Sequence, residues 1–279
     1  MSDPASADPL LASLIDAALA GGREVMAVYR TDFVVEHKAD DSPVSAADRR
    51  AEAAIVARLS AANPDTPIIA EEAVSAGTIP AVSETFFLVD PLDGTKEFVS
   101  RNGEFTVNIA LIEDGMPAVG VVLAPALGLA YAGSRAGAWK GTTKPALDEI
   151  RGWTAIRTRA SGPAPVAVAS RSHGNAATES ALASANAGAR RCIGSSLKFC
   201  LLAEGQADFY PRLGPTMEWD TAAGDAVLRA AGGMVVTLDG EPLRYGKASL
   251  PGPRPFENPH FLAAGDPALL ERLRLTKAA

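Results

Sequence analysis

The apolar residues at the start of the chain recur at a helical period. Asp8-Pro9 reads as an N-cap followed by proline in the first turn. Leu10, Leu11, Leu14, Ile15, Ala18 and Leu19 then fall on one face, and Val25, Met26 and Tyr29 continue the pattern past Gly21-Gly22. Residues 33–38 predict a strand leading into a polar turn at 39–43. Ser45 to Arg50 starts a second helix, whose stripe is Ala51, Ala54, Ile55 and Leu59. The period then shortens. Ile68-Ile69-Ala70 is a short strand ending in Glu71-Glu72, and adjacent strand residues face opposite sides, so at most one carboxylate points at a shared site. Residues 73–84 are rich in small side chains and predict a mobile loop.

Phe86-Phe87-Leu88-Val89 predicts a buried strand that runs into Asp90. Residues 105–112, 118–124 and 129–132 read as strands separated by turns at Asp114-Gly115 and at 125–128, an antiparallel meander sharing one sheet with the earlier strands. Residues 133–139 add another hairpin. The second half alternates strand and helix: a strand at 165–169, a helix at 176–186, a strand at 190–193, a helix after Gly194-Ser195-Ser196 closed by Gly205, and a strand at 207–210. That alternation argues for an α/β layer with parallel pairing, whose ligands sit beyond the carboxyl ends of the strands. A helix from Trp219 with an acidic start, strands at 234–238 and 261–264 and a short terminal helix complete the chain. The weakly periodic stretch 141–160 marks the boundary between an N-terminal α+β domain, 1–150, and a C-terminal α/β domain, 151–279.

The chain has 279 residues, 47% apolar and 21% charged, enough to bury a sizeable core. Its formal charge of −7 argues against a nucleic-acid-binding surface. Cys192 and Cys200 have no CxxC spacing, so neither a disulfide framework nor a zinc site is indicated and a reducing, cytoplasmic setting is expected. Residues 1–7 lack a basic n-region, and no stretch is apolar enough for an integral membrane segment. Peripheral association with the inner membrane and a homodimer both stay open.

The chemistry concentrates after the buried strand, at Asp90-Pro91-Leu92-Asp93-Gly94-Thr95. A carboxylate on the end of a buried strand is costly to desolvate without a compensating cation. Asp93 repeats the problem in a turn that Pro91 and Gly94 favour, and Thr95 can N-cap a short helix whose first N–H groups face whatever lies above. Two hard-oxygen ligands beside such N–H groups suit Mg²⁺ holding a phosphate; an Asx-type turn with solvated aspartates is the plainer alternative. Asp48 lies in the first turn of its helix, where a carboxylate also complements the dipole, and Asp220 can be an ordinary N-cap.

These residues also resemble the inositol monophosphatase superfamily. Asp90 to Thr95 is similar to its signature, Ser42-Pro43-Val44-Ser45-Ala46-Ala47-Asp48 to a second motif, and Trp219-Asp220 to a third. Lys96-Glu97-Phe98, Ser170 to His173, Gly194 to Cys200 and 214–224 look like the CysQ branch, whose members are 3'(2'),5'-bisphosphate nucleotidases. The resemblance covers roughly 34–264 and implies two domains in an α/β/α/β/α sandwich with the site between them. It implies two or three Mg²⁺ ions. Asp90 would be shared, one ion also taking Glu71 and the Leu92 carbonyl, another Asp93 and Asp220. Asp48 and Thr95, with Glu71, would activate the attacking water. Glu71, Leu92, Asp93, Gly94, Thr95, Ser170, His173, Gly194, Lys198 and Asp220 would surround a phosphorylated nucleotide, 3'-phosphoadenosine 5'-phosphate, in sulfur assimilation or nucleotide recycling. Lithium sensitivity is implied as well. An inositol or sugar phosphatase on the same fold, and a catalytically silent nucleotide-binding regulator, are the alternatives. Lys198 as a solvated helix residue and His173 as a turn residue are theirs.

Overall fold

In the computed structural model, which describes residues 3–31, 43–171, 176–248 and 254–273, two sheets alternate with layers of helix. The strand expected at 33–38, and His173, lie outside the described residues. The chain begins with helices α1 (Pro4–Ala7), α2 (Pro9–Tyr29) and α3 (Pro43–Ala62). Then come β1 (Ile68–Ala70), α4 (Glu71–Ser75), β2 (Thr85–Asp93), α5 (Thr95–Val99), β3 (Thr106–Glu113), β4 (Met116–Ala124), β5 (Leu129–Ser134), β6 (Gly137–Thr143) and β7 (Ile150–Ala155). The second half contains β8 (Val166–Ser170), α6 (Ala176–Ser184), β9 (Ala189–Ile193), α7 (Leu197–Ala203), β10 (Phe209–Arg212), α8 (Ala222–Ala230), β11 (Met234–Thr237), β12 (Phe261–Ala264) and α9 (Pro267–Arg272).

Alternation along β2 explains the layering. Phe87 and Val89 face α2 and α3 with Leu14, Ile55 and Leu59, whereas Phe86 and Leu88 face α7 and α8 with Phe199, Val227 and the inner side of the second sheet. Full burial of each such side chain stabilises by roughly 1.5–3 kcal/mol, so a one-residue register slip is strongly disfavoured. The outer face of the second sheet, Phe209, Val236 and Leu262, is covered by Leu182 of α6 and Leu269 of α9. The order of layers is therefore α/β/α/β/α. Helix α8 lies directly on the first sheet because that sheet has glycine beneath it: a Cβ on Gly120 would stand 2.6 Å from the Ala223 oxygen, and one on Gly133 2.6 Å from Val227 Cα.

The first sheet runs β1 through β7 in chain order, the expected meander, with β1 parallel to β2 and the other pairs antiparallel. The second sheet has the order β11-β12-β10-β8-β9. Here the expectation of parallel pairing holds only in part. β8 pairs parallel with β9 and β10, but β12 inserts antiparallel between β10 and β11. The connection between the sheets is 156–165, since β7 still pairs with β6.

Several local expectations are corrected. Helix α3 begins at Pro43, so Asp48 lies in its second turn, where the dipole explanation for that carboxylate no longer applies. Glu71 and Glu72 are the first residues of α4 rather than a strand end, and the stretch expected to be a loop starts with that helix. No described helix is long and apolar enough to cross a membrane.

Candidate active site

The β2–α5 junction is built around an interruption of the sheet. Asp90 is opposite Asn108 and Asp93 opposite Thr106, with a bulge between them that turns both carboxylates out of the ladder. Asp90 Oδ1 accepts the Leu92 N–H at 3.0 Å, which is the Asx-type turn; Asp90 is nevertheless only 1% exposed, so the solvated alternative does not apply. Gly94, at φ +95°, is the N-cap of α5, and Thr95 is its first helical residue and exposed. Thr95 is therefore not the cap: the left-handed turn needed there selects glycine one residue earlier.

The remaining carboxylates arrive from other layers. Glu71 opens α4, whose first N–H groups have no side-chain cap of their own. Glu52 of α3 supplies one, accepting Glu72 N at 2.8 Å and Ala73 N at 3.0 Å. Asp48, one turn before Glu52 on the same helix, is buried and feels Glu71, Glu72 and Glu52. No hydrogen bond joins Asp48 to Thr95 among the described residues. Asp220 precedes α8, whose N-cap is Thr221 rather than Asp220. Its Oδ2 accepts Met217 N at 2.8 Å, and its backbone oxygen accepts the Ser196 hydroxyl at 2.7 Å.

Glu71, Asp90, Leu92, Asp93, Gly94, Thr95, Ser170, Lys198 and Asp220 line one cavity of about 650 Å³ between the two sheets. Asp48 and Gly194 do not line it. Gly194 instead packs against the loop beneath, where a Cβ would stand 2.6 Å from Glu97 Cγ. Lys198 is 6% exposed, with Nζ 2.5 Å from the Ser195 oxygen and 5.5 Å from the centre of the Tyr210 ring, so it is not a solvated helix residue. Ser195, from the turn expected to face the cleft, also lines the cavity, as do Tyr210 and Arg212, which were not foreseen from the sequence. Arg212 ends β10; Nη2 donates to the Pro215 oxygen at 2.7 Å, while Nε is buried without a partner. A cation at the carboxyl end of a second-sheet strand was the available signal.

The cavity is lined by charges of both signs. Burial and mutual repulsion raise Glu71, Asp90 and Asp220 above the ordinary carboxylate range, burial raises Asp93 although Lys198 opposes it, and burial with Glu71 raises Asp48 to about 8. Burial lowers Lys198 to about 8; Asp93 opposes that shift and Arg212 adds to it. Thr106 Oγ1 and Asn108 Oδ1, beside the carboxylates, are buried without a hydrogen-bond partner. An all-oxygen set held together against its own repulsion fits a hard divalent cation. Among the described residues no group of three His, Cys, Asp or Glu side chains is placed to hold a metal ion by itself.

The model of the inositol monophosphatase family matches residues 6–274. The 3'(2'),5'-bisphosphate nucleotidase CysQ of Escherichia coli K12 is 46% identical over 226 residues, 80% of this chain and 89% of the relative. Its Salmonella typhimurium counterpart is 44% identical over 238 residues, 85% and 94% of the two chains. Among solved structures, CysQ from Bacteroides thetaiotaomicron superposes with a TM-score of 0.78 at 39% identity, covering 92% of this chain and 97% of that one. An inositol monophosphatase from Zymomonas mobilis shares the fold, with a TM-score of 0.76 at 24% identity and 98% of each chain covered. On sequence and on fold, the chain belongs to the inositol monophosphatase family.

Proposed function

We propose that this protein is a Mg²⁺-dependent 3'(2'),5'-bisphosphate nucleotidase that hydrolyses 3'-phosphoadenosine 5'-phosphate to AMP and phosphate, as in sulfur assimilation or nucleotide recycling. The observation that carries the reading is a cavity lined by charges of both signs. The carboxylates call for cations. Lys198 and Arg212 stand near each other despite their repulsion, which calls for an anionic group besides the phosphate held by the cations. A substrate with two phosphates supplies both, whereas an inositol monophosphate supplies one. The nucleotidase relatives support the same substrate class.

In this reading Glu71, Asp90, Asp93, Asp220 and the Leu92 carbonyl hold the cations. When bound, Mg²⁺ supplies positive charge to the attacking and leaving oxygens and lowers the pKa of water. The backbone N–H groups at Gly94 and Thr95 receive phosphate oxygens as charge spreads over them. Thr95 Oγ1 orients the attacking water, and Asp48, with Glu71, accepts its proton; in the metal-free protein burial and Glu71 raise Asp48 to about 8, and cations bound at Glu71 would favour the ionised form that a base requires. Lys198, Arg212 and Ser170 hold the second phosphate and the nucleoside. Gly194 allows its turn to lie against Glu97. His173, by likeness to the bisphosphate nucleotidases, is proposed as a further nucleotide contact. The first sheet, through β7, and the second sheet, from β8, serve as the metal-loop and substrate domains. Cys192 and Cys200 are both unpaired, which supports a cytoplasmic location.

The test is phosphate release from a panel of nucleoside bisphosphates, inositol phosphates and sugar phosphates, with Mg²⁺ and with excess chelator. The bisphosphate should be turned over with much the largest kcat/KM, and only with Mg²⁺. Preference for inositol 1-phosphate, or full turnover in chelator, would overturn the assignment.

A further inference from the structure

Ser196 occupies the N-cap of α7, where a serine side chain ordinarily accepts an N–H from the first turn. No such capping bond forms. Its hydroxyl reaches another segment instead, donating to the Asp220 oxygen at 2.7 Å, and its backbone N–H donates to Asp93 Oδ2 at 2.8 Å. One residue, 1% exposed, thus ties together the two carboxylate-bearing turns, one from the first sheet and one from the start of α8.

Both turns are fixed from their other sides as well. Met217 N holds Asp220 Oδ2, and Asn108 Nδ2 lies 3.4 Å from Asp93 Oδ2. Ser195, in the left-handed region at φ +53°, donates its hydroxyl to the Asp93 backbone oxygen. The turn itself is anchored at Gly194, whose N–H donates to Glu104 Oε2 at 2.9 Å, while Arg171 grips Glu104 through Nε at 2.9 Å and Nη2 at 2.7 Å. A non-glycine residue in a strained conformation, braced on both sides, marks a turn whose position the surroundings over-determine.

We propose that Ser196 is a positioning residue. Its hydroxyl sets the placement of Asp220 relative to Asp93, and with it the affinity of the cation position those two carboxylates share. This rests on the reading of the carboxylates as cation ligands. Groups that orient metal ligands typically change metal affinity ~10–100-fold when removed.

Ser196→Ala deletes the hydroxyl and leaves the N–H to Asp93 in place. Ser196→Thr keeps the hydroxyl. Mg²⁺ binding to the metal-free protein is measured by calorimetry, with melting followed in chelator and in Mg²⁺. In Ser196→Ala one binding event should weaken ~10–100-fold, melting in chelator should barely change, and the gain in melting temperature on adding Mg²⁺ should shrink. Ser196→Thr should restore binding. Unchanged Mg²⁺ binding in Ser196→Ala, or an equal loss of melting temperature with and without Mg²⁺, overturns the positioning role. Absence of any Mg²⁺ binding by the unsubstituted protein overturns the cation-ligand reading itself.

Discussion

Arg212 offers the sharpest separation of a bisphosphate substrate from a monophosphate. Its guanidinium lines the cavity, with Nη2 on the Pro215 oxygen and Nε buried without an acceptor. A buried charged donor without a partner is costly, and a phosphate oxygen would relieve it. Arg212→Met keeps the length of the stem and removes the charge. A hydrogen bond to a charged group contributes about 1.5–3 kcal/mol, which corresponds to ~10–150-fold in affinity. KM for 3'-phosphoadenosine 5'-phosphate should rise by that order. KM for 3'-AMP, which lacks the 5'-phosphate, should move little beyond the effect of loosening the turn at Pro215. Arg212→Lys should recover only part of the loss, because an ammonium lacks the planar fork. The assay is steady-state phosphate release from the two nucleotides at fixed Mg²⁺. An equal loss on both substrates would assign Arg212 to folding of the Pro215 turn, and an unchanged KM for the bisphosphate would remove it from the substrate site.

Three further outcomes follow from the geometry. Asp93→Asn should abolish most turnover while circular dichroism and melting in chelator stay near those of the parent; substantial activity in that variant would exclude Asp93 from the cation site. Asp208, 3% exposed, accepts Arg159 Nε and Nη2 at 2.8 Å each and Val166 N at 2.7 Å, so Asp208→Ala should cost ~1–3 kcal/mol in urea unfolding. Its carboxyl, although burial opposes the shift, is held below the ordinary aspartate value of 3.8 by Arg159 and the Val166 N–H, so its contribution is present above pH 3.8 and is lost as pH falls through the folded pKa. A parent and variant that lose stability in parallel below that pH would contradict this. Gly120→Ala should cost ~1–3 kcal/mol by forcing a methyl against the Ala223 oxygen, and an unchanged unfolding midpoint would mean that α8 can lift off the sheet.

Much of the fold was legible because local period and turn chemistry agree along the first sheet. Four apolar residues before Asp90 and the turns at Asp114-Gly115 and 125–128 all point to tightly connected strands. The misjudged points share one cause, a boundary where two local rules compete. Pro43 could close the preceding turn or open α3, and it opens α3. Glu71-Glu72 follows an apolar strand but also suits the positive end of a helix dipole, and the helix prevails because Glu52 caps it from α3. Thr95 and Asp220 are good capping residues displaced by one position, by Gly94 and Thr221. The insertion of β12 between β10 and β11 leaves no local trace, since its pairing partners are remote in sequence. Arg212 was missed for a similar reason: a lone cation at a strand end reads as solvated until the opposite wall of the cavity is known.

Outside the cavity, the molecule neutralises its buried charges. Asp208 faces Arg159, Asp225 faces Arg229 at 2.7 Å and Glu218 faces Lys247 at 2.6 Å. At the cavity the pattern reverses: carboxylates crowd carboxylates, Arg212 lowers Lys198, and Thr106, Asn108 and Arg212 each keep a buried polar atom without a partner. A chain able to pair its charges elsewhere has no folding reason to leave these opposed. The carboxylates come from β2, from α4 and from the turn before α8, and the cations from α7 and β10. Ligands that neutralise both sets of charges therefore connect the first sheet, the central helices and the second sheet at once. The free energy that folding leaves unrealised at this seam is recovered when substrate and cations bind together.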